Sequence, residues 1–554
     1  VKKILIFTLF FLVALFFLGG ELNPFNSQYF TVHDNTQVAR LSEFAFNLKN
    51  GIIPPRVAPH FSFNQSIPVF NFYAPFSYWI GGILSIFISP AVALKLLFLG
   101  GLLLSFFTMF LLISSLFSFW AGILSASVYV SSLWMAVEIF VRGNVGEVWF
   151  MALFPLALFF IFHRHYQKSA LFFFLGSLVI SATLTVHNVL SLVSLTIFMV
   201  SIFLVKNKKR AMLMLIFGFL LSCTFLVPAL LEGNLTYANT IASKTNYADH
   251  FLCTWQLWRA SAWSYGGSGI GCMNDDMSFQ LGKPHIILGV LGLLIFFYEL
   301  LIQKKRDNLI VISFFIFFVG IFSTFLTLPY SKPIWDLLSP VMRVFQFPWR
   351  FLPFSLFFLS YFAAYIITFI KKLEIKIGVV TLLSFTLIFL SHKFFSKPWK
   401  YNLYEYSAMF LSDKYIQKKA AYEIPEYFPR VGDYKTWRLY ESKEIGFYTN
   451  RLVYKVNKPF YKEIKIDQNQ IILPIHYYPF WEITIDGKIF VPHTFDKLGR
   501  PILTDLSTHS TIVVRYNETP IEKIGNGMSI ISFGLLVFVC LNKKLWKKMN
   551  AILQ

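Results

Sequence analysis

Apolar runs recur along this sequence, and each of them needs a solvent other than water. Stretches near residues 3 to 20, 92 to 116, 118 to 140, 148 to 162, 169 to 186, 189 to 205, 211 to 231, 285 to 302, 308 to 329, 351 to 370, 375 to 394 and 524 to 542 have roughly the length that crosses a bilayer as a helix. Period-two alternation is absent from these runs, which argues for a helical bundle over a barrel. With 56% of residues hydrophobic and 14% charged, the chain has too little polar surface to cover a water-soluble globule. The expected class is an α-helical polytopic membrane protein of about twelve transmembrane helices.

The formal charge of +21 raises the question of nucleic acid. Its distribution answers it. Basic residues cluster between apolar runs, as "HRHYQK" from His163, "KNKKR" from Lys206, "QKKR" from Gln303, "KKLEIK" from Lys371 and "KKLWKK" from Lys543. Short clusters of this kind mark cytoplasmic loops, whereas a nucleic-acid partner needs one continuous basic face. With both termini cytoplasmic, the crossings must be even in number. A thirteenth apolar segment, residues 70 to 90, breaks that parity; it holds Asn71, Pro75, two glycines and a crowd of aromatics at one end, a composition suited to a helix lying in the interface. The first run reads as a retained anchor in the cytoplasmic (inner) membrane, because no small-residue cleavage site follows it in "GGELNPF".

Outward-facing loops are then 21 to 91, 141 to 147, 187 to 188, 232 to 284, 330 to 350 and 395 to 523. The expected division is a membrane domain over 1–394, an extracytoplasmic β-rich domain over 395–523, and a final helix with a basic cytoplasmic tail over 524–554. In "WEITIDGKIFV", Asp486 and Gly487 supply a two-residue hairpin turn between alternating strands. Cys253 and Cys272 share one polar loop, where an oxidising compartment permits a disulfide; Cys223 and Cys540 lie inside apolar runs as packing residues.

Candidate chemistry lies in the outward loops. Asp34 reads first as an N-cap, with Gln37 in the capping-box position, Val38, Leu41, Ala45 and Leu48 at helical spacing and Gly51 as the stop. An acid at the membrane boundary, beside His33, is also placed to take a proton from a hydroxyl. In "VRGNVGEVWF", Glu147 stands where the helix dipole favours an anion, and Arg142 can pair with Glu138 one turn earlier. His187 sits at a tight turn. In "VMRVFQFPWRF", Arg350 is either a snorkelling side chain or a planar fork for a lipid phosphate, with Arg343 a weaker candidate. The glycine-rich loop from Trp263 to His285 lacks Walker spacing and reads as a lid. Zinc spacings, a serine-hydrolase elbow and a dinucleotide fingerprint are absent from the sequence.

An outer loop carrying an acid, then "FYAPFSYWIGGILSIF" and "AVALKLLFLGGLLLSFF", resembles the GT-C superfamily of lipid-linked-sugar glycosyltransferases. More specifically, "HDNTQVARLSEFAFNLKNGIIPPR", "VRGNVGE", "MSFQLGKPH" and "FQFPWRFL" resemble the bacterial pyruvoyl-tetrahydropterin synthase-related membrane proteins, and "YYPFWEITIDGK" resembles the external β domain of YfhO-like proteins. The pterin label matches no chemistry in these residues. The resemblance implies transfer of a sugar from a polyprenyl-phosphate donor to an envelope glycolipid or glycan. It gives Asp34 and Glu147 catalytic roles, and His33, Arg142, His187, Arg343 and Arg350 substrate-binding ones, with a divalent metal ion as the cofactor it admits. "HDN" lacks the second acid that many relatives place beside the first. Two other classes stay open: a transporter or flippase of lipid-linked saccharides, which needs polar or helix-breaking residues near the midplane, and a non-catalytic glycan-binding envelope protein.

Overall fold

The computed structural model of the chain describes residues 2–163, 169–242, 245–260, 263–442, 452–466 and 468–553. All twelve apolar runs are helical, as a backbone deprived of water requires. Among the described residues seven helices are long and apolar enough to cross a membrane, and two bent pairs raise the number to nine. The expected twelve crossings are therefore not reached on length. Lys2–Leu18, Ala170–Leu184 and Asn188–Leu204 hold 17, 15 and 17 residues, or about 22 to 26 Å of helix against ~30 Å of hydrocarbon. Of the basic cluster "HRHYQK", all but His163 lies outside the described residues.

Two expected spans are broken. The run 118 to 140 divides into Phe119–Val130 and Leu133–Arg142, bent by 44°. Ser131 turns its hydroxyl back to the Ser127 carbonyl, and Ser132 caps the second helix through the Trp134 N–H, so the chain changes direction without proline or glycine. Lys208–Leu221 and Cys223–Leu231 bend by 64° in the same way around Ser222. The segment 70 to 90 forms the helices Val69–Phe72 and Phe76–Phe87. Twelve residues give about 18 Å, too short to cross.

The first outward loop departs from expectation at its most interesting residue. The helix Gln37–Lys49 is preceded by Thr36, not by Asp34, and no side chain caps it. Asp34 lies two residues before the cap position, and the loop there is tied to the Glu138–Glu147 turn: the N–H groups of His33 and Asp34 donate to the carbonyls of Val141 and Arg142, at 2.8 and 2.9 Å. Gly51 ends the helix as expected, with a left-handed φ of 74°.

Beyond the membrane helices, residues 403–442 are largely helical and the strands follow. Taking β1 as Val453–Lys458, β2 as Tyr461–Lys465, β3 as Trp481–Ile485, β4 as Lys488–Phe490 and β5 as Thr511–Tyr516, the sheet runs β1-β2-β5-β3-β4 and every pair is antiparallel. The β3–β4 hairpin turns on Asp486 and Gly487, both at positive φ, which matches the twist of the flanking strands. Its inward residues Ile464, Trp481, Ile483, Ile512 and Val514 form a second core, which takes in Val57 from the first outward loop. The same loop is held from the other direction, because Gln28 and Tyr29 pair with Asn402 and Tyr401 and the Lys397 ammonium donates to the Thr31 carbonyl. Cys253 and Cys272 are disulfide-bonded.

Candidate active site

The short turn between Glu138 and Glu147 organises the site. Glu138–Arg142 closes as a π-helical turn, Gly143 follows in a left-handed conformation, and Asn144 caps the helix Val145–Phe162 through the Glu147 N–H. The two glycines of "RGNVGE" make room for neighbours. A Cβ on Gly143 would stand 2.2 Å from Val32, and one on Gly146 would stand 2.8 Å from the Val186 carbonyl oxygen. Only a chain without those Cβ atoms can bring the segments carrying Asp34 and His187 this close.

Arg142 stands between two carboxylates, with Nη1 at 2.5 Å from Glu138 Oε1 and at 2.8 Å from Glu147 Oε1. Its guanidinium lies over the Trp349 ring, 4.5 Å from the centroid. Glu147 is fully buried and also receives Asn144 Nδ2 at 3.2 Å, while its second oxygen has no partner. His187 faces Glu147 through Nε2 at 3.5 Å, and its Nδ1 accepts the N–H groups of Val189 and Leu190. Since Nδ1 accepts, the ring proton belongs on Nε2. Burial lowers the His187 pKa, so the ring is neutral at physiological pH.

Arg350 reaches the same place from a short turn, Pro348–Phe351. Its Nη1 donates to the Phe345 carbonyl at 2.9 Å and to Gln346 Oε1 at 3.0 Å, and the group packs on Phe347. Nε is buried without a partner. Charge interactions link Arg350 with Glu147, Arg142 and Asp34. The two buried acids are thus matched by two guanidiniums, the arrangement that makes buried charge tolerable.

Asp34 differs from the other two acids. It is partly exposed, and its side chain is paired only with His33 Nδ1, at 3.3 Å. His33 is exposed, and the hydrogen bond to Asp34 raises its pKa. Gly267 of the glycine-rich loop passes over its Nε2. That loop is held in shape by the Cys253–Cys272 bond and by Asp275, which accepts from Gly269 N, Ser268 Oγ and Gln256 Nε2.

The structure therefore brings Asp34, His33, Arg142, Glu147, His187 and Arg350 together. Arg343 is not among them: it is exposed and its charge is felt at Tyr247. Among the described residues no group of three or more His, Cys, Asp or Glu is arranged to hold a metal ion.

Sequence reasoning missed three kinds of residue. Arg40 is buried, donates to Tyr78 Oη at 3.1 Å and lies 4.6 Å over the Tyr73 ring; Tyr78 in turn donates to Gln37 Oε1 at 2.5 Å. Tyr73 feels Arg40, Asp34 and Arg350 at once, which puts it among them. Glu426, from the turn Pro425–Tyr427, lies within reach of Arg40 and Asp34, and burial pushes its pKa up. The available signal was Arg40 one turn after Gln37, which the capping-box reading of Gln37 passed over.

Solved structures similar to this chain include two of an oligosaccharyltransferase from Archaeoglobus fulgidus. The apo form matches at 12% identity with a TM-score of 0.41. The second, described as AglB in complex with an inhibitory peptide and a dolichol-phosphate, matches at 12% identity with a TM-score of 0.44. Each match covers 77% of this chain and 60% of the other, so the chain spans under two thirds of their length. No curated protein matches the sequence. Residues 70–269, which carry Tyr73, the Glu138–Glu147 turn and His187, match the 6-pyruvoyl-tetrahydropterin synthase related domain, a family of membrane proteins.

Proposed function

We propose that this protein transfers a sugar from a polyprenyl-phosphate-linked donor to a hydroxyl of an envelope glycolipid or glycan, at the outer face of the cytoplasmic membrane. The observation that carries the reading is the contrast within the cluster. Glu138 and Glu147 are locked on Arg142, whereas Asp34 is partly exposed and its carboxylate makes no ion pair with an arginine among the described residues. Asp34 is then the group that takes the acceptor proton. The acceptor oxygen bonds to the anomeric carbon, the bond from that carbon to the phosphate oxygen breaks, and its electron pair stays on the departing lipid phosphate. Arg350 offsets the charge that develops there. Glu147, fully buried, acts through Arg142 as a positioning residue.

The decisive experiment compares lipid-linked sugars and envelope glycolipids in cells carrying wild type, Asp34→Asn or Arg350→Ala at matched membrane abundance. Both variants should accumulate donor and lose product. Unchanged profiles in both would remove the enzyme, and intact transfer with lost flipping would favour a transporter.

His33 adds a pH dependence. Its pKa is raised above the ordinary histidine value by Asp34, so as pH falls through that raised value the imidazolium pairs with the base and weakens it. Transfer should decline as pH falls, with the midpoint of that limb above the ordinary histidine value. His33→Gln should flatten that limb; a limb that persists in the variant excludes His33 as its source.

A further inference from the structure

The residues around Asp34 divide by access. Arg40, Glu138, Arg142, Glu147 and His187 are buried, whereas Asp34, Arg350 and Tyr73 are partly exposed and open to a substrate group. Asp34 and Arg350 have roles in the proposed transfer. Tyr73 has none, although the chain fixes its place from both sides. It stands in the extended link between the helices Val69–Phe72 and Phe76–Phe87. The Asn188 side chain clamps that link, donating to the Phe72 carbonyl at 2.7 Å and accepting the Ala74 N–H at 2.8 Å, and the Phe76 N–H donates to the Thr185 carbonyl at 3.0 Å. Asn188 follows His187, whose ring faces Glu147, so the clamp ties Tyr73 to the buried half of the site. From the other side the Arg40 guanidinium lies 4.6 Å over the Tyr73 ring, with Tyr78 and Tyr427 standing T-shaped to it at centroid distances of 5.8 and 6.5 Å.

The two phenols beside Arg40 differ in what becomes of their protons. Tyr78 accepts from Arg40 and donates to Gln37 Oε1, so its proton is used. Tyr73 also meets Arg40, but a guanidinium offers donors only, and among the described residues no acceptor takes the Tyr73 proton. The charges felt at its hydroxyl are Arg40, Asp34 and Arg350. A phenol proton left open between two guanidiniums suits an anion.

We propose that Tyr73 is a further catalytic residue, whose hydroxyl donates a hydrogen bond to the lipid phosphate held by Arg350. The assignment rests on the sugar-transfer reading. As the bond from the anomeric carbon to the phosphate oxygen breaks, that oxygen keeps the electron pair and gains charge. Tyr73 keeps its proton throughout, and its hydrogen bond strengthens as the charge builds, so it favours the transition state over the bound donor. The phosphate is its partner rather than the acceptor hydroxyl, because a donor on the acceptor oxygen would hold back the lone pair that attacks.

The test uses the full chain in phosphatidylcholine vesicles and the variant Tyr73→Phe, which removes the hydroxyl and keeps the ring beside Arg40. Its kcat for transfer should fall by about 10²- to 10³-fold, with KM for the donor much less affected. Its affinity for undecaprenyl phosphate, measured against undecaprenol, should fall by about tenfold or more, since the free phosphate carries the charge of the departed group. Tyr78→Phe removes a hydroxyl already spent on Gln37; it should lower the unfolding temperature and leave the preference for the phosphate intact, the pattern a merely structural tyrosine gives. Thermal unfolding confirms that Tyr73→Phe is folded. Transfer lost in Asp34→Asn but kept in Tyr73→Phe, or a folded Tyr73→Phe that binds undecaprenyl phosphate as wild type does, would each overturn the assignment and leave the transfer reading standing. If Asp34→Asn and Arg350→Ala change nothing, the transfer reading has failed and the catalytic role of Tyr73 falls with it.

Discussion

Asp34→Asn should slow sugar transfer by about 10²- to 10⁴-fold while leaving the protein folded, the loss typical of removing a general base. Asparagine has nearly the same shape, and the backbone bond from residue 34 to the Arg142 carbonyl does not depend on the side chain. No ion pair with an arginine is lost, since among the described residues the Asp34 carboxylate pairs with His33. The measurements are single-turnover transfer in detergent or vesicles and thermal unfolding of the same preparations. A variant that transfers at the wild-type rate would assign the base elsewhere and leave Asp34 as a loop residue.

Arg142→Met is expected to do the opposite and act on stability first. The substitution keeps volume but strips Glu138 and Glu147 of the cation they share at 2.5 and 2.8 Å, leaving two buried carboxylates facing each other. Breaking a buried pair from one side costs about 3–5 kcal/mol, because Glu138 loses the cation it is bonded to and Glu147 is left with Asn144, His187 and the more distant Arg350. Arg343→Met, at an exposed arginine outside the cluster, should stay within about 0.5 kcal/mol and serves as the control. Adding Glu138→Gln to Arg142→Met should recover part of the loss. If Arg142→Met unfolds with the same midpoint as wild type, Arg142 is not what holds the two buried acids in place.

Much of this was legible in the sequence, for reasons that hold locally. Apolar runs become helices because lipid leaves the backbone no alternative, Asp486-Gly487 turns a hairpin because both residues tolerate positive φ, and Glu138 meets Arg142 because four residues make one helical turn. The dipole position of Glu147 was visible for the same reason. What escaped depends on distant partners. Asp34 stands two residues short of the cap position, in a stretch whose backbone is bonded to a carbonyl more than a hundred residues away. The break at Ser131 and Ser132 carries no proline or glycine and keeps full hydropathy, so the run looks continuous. Arg40 looks like a solvated residue until Tyr73 and Tyr78 close over it. Arg343 and Arg350 look alike on paper, and only the fold separates them.

The pairing of residues 28–29 with 401–402, and of Lys397 with Thr31, has a consequence for biosynthesis. Residues 28–31 are synthesised long before these partners are translated. At about 5–20 residues per second, a ribosome needs roughly 20 to 80 seconds to travel from Asp34 to Tyr427. Throughout that interval the backbone of residues 28–29 and the Thr31 carbonyl must be satisfied by water, and shortened chains that stop before residue 397 should insert yet leave this end of the loop unanchored.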